Sequence, residues 1–319
     1  IAITGSAGKT SLKDLIKELL QNFENTHSSP KSFNNHFGVP ISLSNLNSDD
    51  KYGIFEVGMS KMGEINNLSK LIQPHIGIIT NIGEAHLENF KNIYGIAKAK
   101  AEIIDNIKEY GTIILNRDDK FFSYLQKKAK SRKLKIITFG KNKISDIHLL
   151  RTIRDKGLVK ILLKMNNKKI SLEIKNINIY NVLASLAVLE ELNYNLNDVK
   201  KIFKNYEPTE GRGKTHIISR YNKKFKLIDE SYNANPLSVK NAINSFDIIK
   251  KEKYKKYLIL GDMLELGHNS ENYHKDLSKV INNSNIDKVF IKGEKTLFTY
   301  KNLHKSKQGN ILQNKDDID

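Results

Sequence analysis

Ile1-Ala2-Ile3-Thr4-Gly5-Ser6-Ala7-Gly8-Lys9-Thr10-Ser11 decides how this chain is read. A short apolar strand runs into a glycine turn, Lys9, Thr10 and Ser11 follow, and a helix begins at once with Leu12, Leu15, Ile16, Leu19, Leu20 and Phe23 on one face. Strand, glycine turn, Lys-Thr and helix is the layout of a phosphate-binding loop. Backbone N–H groups and the helix N-terminus cradle a polyphosphate, Lys9 reaches the outer phosphates, and Thr10 is placed to ligate Mg2+. The general pattern G-x-x-x-x-G-K-[ST] asks for glycine where this chain has Ile3; its glycines are Gly5 and Gly8. An ordinary tight βα turn is the alternative, and it is disfavoured because all parts of the layout agree.

The 319 residues allow two domains with well-buried cores. With no Cys there is neither a disulfide nor a thiolate metal site, and no apolar run reaches membrane-spanning length. The formal charge of +18 raises the question of nucleic acid, anionic membrane or acidic small substrates. Lysines are spread along the whole chain without an aromatic-interleaved basic stripe, which disfavours nucleic acid. A domain rarely begins at the first residue of a central strand, so the sequence predicts further chain upstream of Ile1. It likewise predicts a truncated second domain, because the chain stops at Asp317-Ile318-Asp319 after few strands.

Working outward from the loop, Tyr52–Val57 reads as a strand, Met62–Ile72 as a helix, His75–Thr80 as a strand and Tyr94–Ile107 as a helix. Gly111–Leu115 is the next strand, followed by a helix near Lys120–Lys130 and a strand over Leu134–Phe139. This alternation predicts a mostly parallel, doubly wound α/β sheet. Ile144–Lys175 reads as short strands without intervening helices, an antiparallel flank. Asn178–Leu192 and Leu196–Tyr206 read as helices. Glu207-Pro208-Thr209-Glu210-Gly211-Arg212-Gly213 is the best linker, dividing the chain into residues 1–207 and 208–319. Beyond it, strands over Phe225–Asp229, Tyr257–Leu260 and Lys288–Ile291 alternate with helices over Pro236–Ile249 and Glu271–Ile281.

Several residues could carry chemistry, each with a plainer alternative. Glu56 ends the Tyr52–Val57 strand, where ligands of open α/β sheets bind. It is a reasonable Mg2+ ligand beside a phosphate loop, or a surface carboxylate. His86 follows the next strand in Thr80-Asn81-Ile82-Gly83-Glu84-Ala85-His86-Leu87-Glu88, so topology places it near the same crevice; a structural histidine is equally consistent. Lys100 lies within the stripe Ile96, Ile103, Ile104 and Ile107. Either its side chain snorkels out or it is buried with a depressed pKa, leaving neutral amine able to add CO2 as a metal-binding carbamate. Glu230-Ser231-Tyr232-Asn233-Ala234-Asn235-Pro236 offers neutral groups for orienting a polar ligand, while Asn235 before Pro236 also suits a helix cap.

Together these segments resemble the Mur ligases of peptidoglycan synthesis. The resemblance is carried by Thr4–Thr10, Asn34-Asn35-His36-Phe37-Gly38-Val39-Pro40, Glu56-Val57-Gly58-Met59, Thr80–Glu88, Gly95-Ile96-Ala97-Lys98-Ala99-Lys100, Asp229–Pro236 and Gly261-Asp262-Met263-Leu264-Glu265-Leu266-Gly267. The last two segments select the branch that joins D-Ala-D-Ala to UDP-N-acetylmuramoyl-tripeptide. The resemblance implies a central P-loop ATPase domain followed by a Rossmann-like C-terminal domain, with an N-terminal UDP-sugar domain in the full enzyme. It implies ATP and Mg2+, with Gly5, Ser6, Ala7, Gly8, Lys9, Thr10, Ser11, Asn181, Arg212 and Glu230 at the nucleotide. Lys9, Glu56, His86 and Lys100 would be catalytic, and Thr10, Glu56, His86 and carbamylated Lys100 would surround the metals. Asn34, Asn35, Thr80, Asn81, Tyr232, Asn233 and Asn235 would meet the two substrates. A cytoplasmic monomer without nucleic-acid partner or membrane insertion is implied as well. Two departures stand out: a family His-Asn pair is Ile177-Asn178 here, and the second acid of Asp-Asp-Ser-Tyr-Asn is Glu230. A sister Mur ligase or folylpolyglutamate synthase would keep the ATP site and change the C-terminal loop. A binding-only homologue would be expected to lose Lys9, Glu56 or Lys100, and a nucleic-acid-binding P-loop protein would not need Lys100.

Overall fold

A computed structural model describes residues 1–155, 158–175, 177–220, 222–249 and 254–313; the expected stop at residues 317–319 lies outside them. The chain divides into two compact units, Ile1–Gly83 with Asn92–Thr209, and Glu84–Lys91 with the chain from Glu210 on. The short segment Glu84–Lys91 therefore groups with the second unit, although it lies within the stretch expected to form the first.

The first unit runs β1 (Ala2–Thr4), α1 (Lys9–Leu20), β2 (Thr26–Ser28), α2 (Gly38–Ser44), β3 (Tyr52–Glu56), α3 (Glu64–Ile72), β4 (Ile76–Ile79), α4 (Ile93–Ala101), β5 (Thr112–Asn116), α5 (Phe122–Ser131), β6 (Lys135–Gly140), β7 (Ile147–Asp155), β8 (Leu158–Met165), β9 (Lys168–Ile174), α6 (Ile179–Glu191) and α7 (Leu196–Asn205). Its nine strands form one sheet in the order β2-β3-β1-β4-β5-β6-β7-β8-β9. Pairing is parallel from β2 through β7 and antiparallel for β7-β8-β9. This is the expected parallel sheet with an antiparallel flank. β1 is central, with register Ile3 opposite Glu56 and Ile78, so the loop after β1 starts between the C-terminal ends of β3 and β4.

Apolar side chains alternate across the strands. Ile3, Ile54, Ile78 and Ile114 join α1, α6 and α7 in one core. The opposite face carries buried Ile79, Ile113 and Leu115, and Ile107 presses so closely over Gly77 that an added Cβ would sit 2.6 Å from it. The helix expected over 94–107 ends at Ala101 and tightens into a 3-10 turn over Glu102–Asn106. There Glu102 accepts from the Gly63 and Asn66 amides at 2.8 and 3.0 Å, holding the start of α3. β2 and α2, only three and seven residues long, were not foreseen from periodicity.

The second unit contains β10 (Lys214–Arg220), β11 (Lys223–Asp229), α8 (Pro236–Ile248), β12 (Tyr257–Gly261), α9 (Ser270–Asn282), β13 (Lys288–Lys292), α10 (Thr296–Lys301) and β14 (Gln308–Ile311). β12, β13 and β14 form a parallel sheet, and α8 and α9 contribute Ile243, Leu277 and Ile281 to its core. β11 differs from expectation: it pairs antiparallel with β10 in a hairpin. Asn222, with φ 57, supplies the left-handed turn residue that such hairpins favour.

Candidate functional site

The residues after β1 form the turn that the sequence predicts. Gly5 has φ +151, and a Cβ there would lie 1.9 Å from Thr80 Oγ1, so no side chain fits. Thr80 and Asn81, expected to meet substrate, brace this loop. Thr80 Oγ1 donates to the Ala7 carbonyl at 2.8 Å, Asn81 Oδ1 accepts from the Ala7 amide at 2.9 Å, and Asn81 Nδ2 donates to the Ala7 carbonyl at 3.1 Å. The Ser6 amide donates to the Asn81 carbonyl at 3.0 Å, and Ser6 Oγ donates to the Gly83 carbonyl at 2.9 Å. Ser6 and Ala7 thus give their amides to protein acceptors. Gly8, with φ 81, caps α1 without a side-chain hydrogen bond, so the first-turn amides of Lys9, Thr10 and Ser11 suit an anion. Asn181 Nδ2 donates to the Gly8 carbonyl at 3.2 Å, placing α6 against the loop. Lys9 Nζ donates to the Gly5 carbonyl at 3.1 Å, curled over the turn it would share with phosphates.

Beside the helix start, Thr10 and Glu56 come together. Both are buried, Glu56 at 1% exposure, and Thr10 Oγ1 donates to Glu56 Oε2 at 2.6 Å. Glu56 is no surface carboxylate. Its other oxygen accepts from Asn34 Nδ2 at 2.7 Å, and Thr10 Oγ1 lies 3.0 Å from Ser32 Oγ. Hydroxyl and carboxylate oxygens are the hard donors that Mg2+ takes from a protein at a phosphate site, so this pair fits the implied cation. Asn35 Oδ1 accepts from the Phe37 and Gly38 amides at 3.2 and 2.9 Å, so its oxygen is engaged just ahead of α2. Ser32 was missed from sequence; only its position shortly before Asn34-Asn35 hinted at it.

Lys100 is 2% exposed and does not snorkel. Desolvation first, and the Lys9 charge second, hold its amine well below the ordinary lysine value of 10.5. Lys13 is buried as well, at 1% exposure. Its signal in the sequence was a charge among the buried residues of α1, one turn beyond Lys9.

In the second unit, His86 has φ 57 and its imidazole meets the Glu265 carboxylate. The Glu88 amide donates to the Glu265 carbonyl at 3.3 Å. His86 is thus engaged by the Gly261–Gly267 segment. The β11 end is organised by Asp229, which accepts from the Gly211 amide at 2.9 Å and the Ser231 amide at 3.0 Å. Arg212 stacks 3.9 Å over the Tyr232 ring. Desolvation and the Asp229 charge raise the Glu230 carboxyl above its ordinary value, against the pull of Arg212, and the exposure of the residue to solvent moderates that rise. Asn233 Oδ1 accepts from the Ala234 amide at 2.8 Å. Asn235 makes a reciprocal capping box with Ser238, at 2.9 and 3.0 Å, ahead of Pro236. The cap reading of Asn235 is therefore correct.

A doubly wound sheet with a lysine- and threonine-bearing glycine loop at the end of its central strand defines a P-loop nucleotide-binding protein, here joined to a second α/β unit. The Mur ligase middle domain matches residues 3–189, and the Mur ligase glutamate ligase domain matches residues 214–312. The chain belongs to the Mur ligase family. It is 34% identical over 321 residues to the UDP-N-acetylmuramoyl-tripeptide–D-alanyl-D-alanine ligase of Buchnera aphidicola subsp. Baizongia pistaciae, covering 100% of this chain and 67% of that protein. It is 32% identical to the enzyme of that name from Bacillus subtilis, covering 99% of this chain and 68% of that protein. The crystal structure of MurF from Acinetobacter baumannii superposes with a TM-score of 0.86 at 28% identity, covering 97% of this chain and 66% of that one. The chain thus spans about two thirds of the length of these relatives.

Proposed function

We propose that the protein is an ATP-dependent ligase that joins D-Ala-D-Ala to UDP-N-acetylmuramoyl-tripeptide, giving the pentapeptide, ADP and phosphate. The observation that carries the ATP half is the buried Thr10–Glu56 contact at the start of α1, beside a loop whose helix amides suit phosphate. The choice of substrates is supported by identity along the whole chain to relatives of that name. In this reading a tripeptide carboxylate oxygen attacks the γ-phosphorus and the bond to ADP breaks. The D-Ala-D-Ala amine then attacks the acyl-phosphate carbonyl, phosphate leaves, and the nitrogen gives up a proton to form the amide.

Catalysis of such a transfer is mostly positioning and neutralisation of charge. Lys9 and the first-turn amides hold the phosphates, and Thr10 and Glu56 would hold Mg2+, whose charge offsets that of the phosphates. The Lys100 amine, its proton held less tightly than in an ordinary lysine, would take up CO2 as a carbamate, releasing a proton and presenting an anion able to hold a second cation. His86 is assigned to the same metals and Arg212, Asn181 and Glu230 to the nucleotide. Asn34, Asn35, Thr80, Asn81, Tyr232, Asn233 and Asn235 are assigned to the substrates. No described helix is long and apolar enough to cross a membrane. The same reading has the protein act in the cytoplasm as a monomer, which light scattering checks.

The test is phosphate release from MgATP by the full-length gene product. Release should require the UDP-muramoyl-tripeptide and D-Ala-D-Ala together and should match the pentapeptide formed; turnover indifferent to both substrates overturns the reading. A hydrogen-bonding site rejects ligands that leave its groups unpaired. Asn233→Ala should therefore raise the KM for D-Ala-D-Ala well beyond that for ATP, and the reverse pattern would move this loop to the nucleotide.

A further inference from the structure

Lys13 has no part in the site described above, yet its placement is unusual. It is 1% exposed on α1, whose other buried residues include Leu12, Leu15, Ile16, Leu19 and Leu20. Its Nζ donates to the Ser29 carbonyl at 2.6 Å and the Lys31 carbonyl at 2.6 Å, and it pairs with Asp14 Oδ1 at 3.0 Å. Two of the ammonium N–H groups donate to carbonyls, and the ion pair with Asp14 offsets the charge. Burying a cation is costly unless it is paired and hydrogen-bonded, and an apolar side chain would serve packing alone. What an ammonium adds is a tie between α1 and two carbonyls of a passing loop.

That loop needs a tie. Lys31 has φ 45, a left-handed backbone that a residue with a side chain adopts only at a cost. Immediately after it come the two residues that complete the Thr10–Glu56 cluster. Ser32 Oγ lies 3.0 Å from Thr10 Oγ1, and Asn34 Nδ2 donates to Glu56 Oε1 at 2.7 Å. The Asn34 carbonyl in turn accepts from the Gly58 amide at 2.8 Å, just past β3. Lys13 and Thr10 share one helix, so fixing residues 29–31 to that helix fixes Ser32 and Asn34 relative to Thr10.

We propose that Lys13 is a positioning residue for the divalent-cation site: by strapping residues 29–31 to α1 it aims Ser32 and Asn34 so that Thr10 and Glu56 present their oxygens together. The proposal rests on the reading of Thr10 and Glu56 as cation ligands. Partners behind a ligand typically matter about 10–100-fold in metal affinity.

The experiment titrates Mg2+ into the full-length gene product and follows binding of a fluorescent ATP. Lys13→Met should raise the half-saturating Mg2+ about tenfold, with ATP affinity in chelator within about twofold of wild type. Asn34→Ala should raise it too, and the double variant should fall short of the combined shift, because both act on one arrangement. A lysine that only stabilises the fold would lower the unfolding temperature and leave the Mg2+ requirement unmoved; that result, or additive shifts, overturns the proposal. Should Lys13→Met not fold, Asp14→Asn removes a single partner and should shift the Mg2+ requirement in the same direction by less than the roughly tenfold expected of Lys13→Met; no shift there overturns it equally. A wild type whose ATP binding ignores Mg2+ overturns the cation reading itself, and this proposal with it.

Discussion

Lys13 on α1 and Lys100 on α4 are buried alike, at 1% and 2% exposure, and their surroundings treat them in opposite ways. Lys13 has two carbonyls and a carboxylate around its nitrogen. Among the described residues, no hydrogen bond or ion pair reaches the Lys100 amine, and desolvation and Lys9 depress its proton affinity. Burial alone therefore does not make a reactive amine. The number of partners decides whether a buried lysine serves as a structural tie or as a neutral nucleophile.

The largest consequence is in turnover. If Lys100 works as a carbamate, Lys100→Ala removes an anion from the phosphoryl-transfer site, and kcat should fall about 10²–10³-fold or more. A small added carboxylate should restore part of it, because it can occupy the vacated space. Lys13→Met should lose turnover only through its Mg2+ requirement and recover when Mg2+ is raised. Full activity of Lys100→Ala, or carboxylate rescue of Lys13→Met, would erase the distinction between the two sites.

The next consequence is in stability and has opposite signs. Lys13→Met orphans the buried Ser29 carbonyl and leaves the partly exposed Lys31 carbonyl and Asp14 carboxylate to water, and should cost about 2 kcal/mol. Lys100→Met replaces a desolvated amine with an apolar chain of similar length and should be neutral or stabilising by about 1 kcal/mol. Urea unfolding of the two variants, without substrates, reads both. Destabilisation of equal size would mean that Lys100 has a partner equivalent to those of Lys13.

The two lysines also show how far the sequence could be read. Lys100 was legible because its helix carries a continuous apolar stripe, and a charge inside such a stripe is conspicuous. Lys13 is not legible in the same way, because α1 announces itself through its apolar residues, and neighbouring Asp14 and Lys17 make that side look solvated. The P-loop and the parallel sheet were legible because a glycine turn with Lys-Thr and strand–helix alternation are local patterns. Ser32, the bracing by Thr80 and Asn81, and the pairing of His86 with Glu265 were not, since each joins residues far apart in sequence. The β10–β11 hairpin escaped for another reason: its strands are mostly exposed and polar, so period-two burial is faint.

The smallest effect is a slope with pH, and its sign is fixed by the direction of the Lys100 shift. The folded state holds the Lys100 proton less tightly than the unfolded chain does, for which the ordinary value is 10.5. Between the depressed folded value and the ordinary one, the unfolded state carries more protons, so stability rises with pH. Below the folded value the destabilising contribution is complete and flat; above the ordinary value it vanishes. The difference in unfolding free energy between wild type and Lys100→Met isolates this from every other titrating group. In metal-free, CO2-free buffer that difference should move in favour of wild type as pH rises from about 7 to about 10, by at most about 1.4 kcal/mol per unit. A flat difference across that range would show an amine no more desolvated than a surface lysine, and the contrast with Lys13 would then rest on turnover alone.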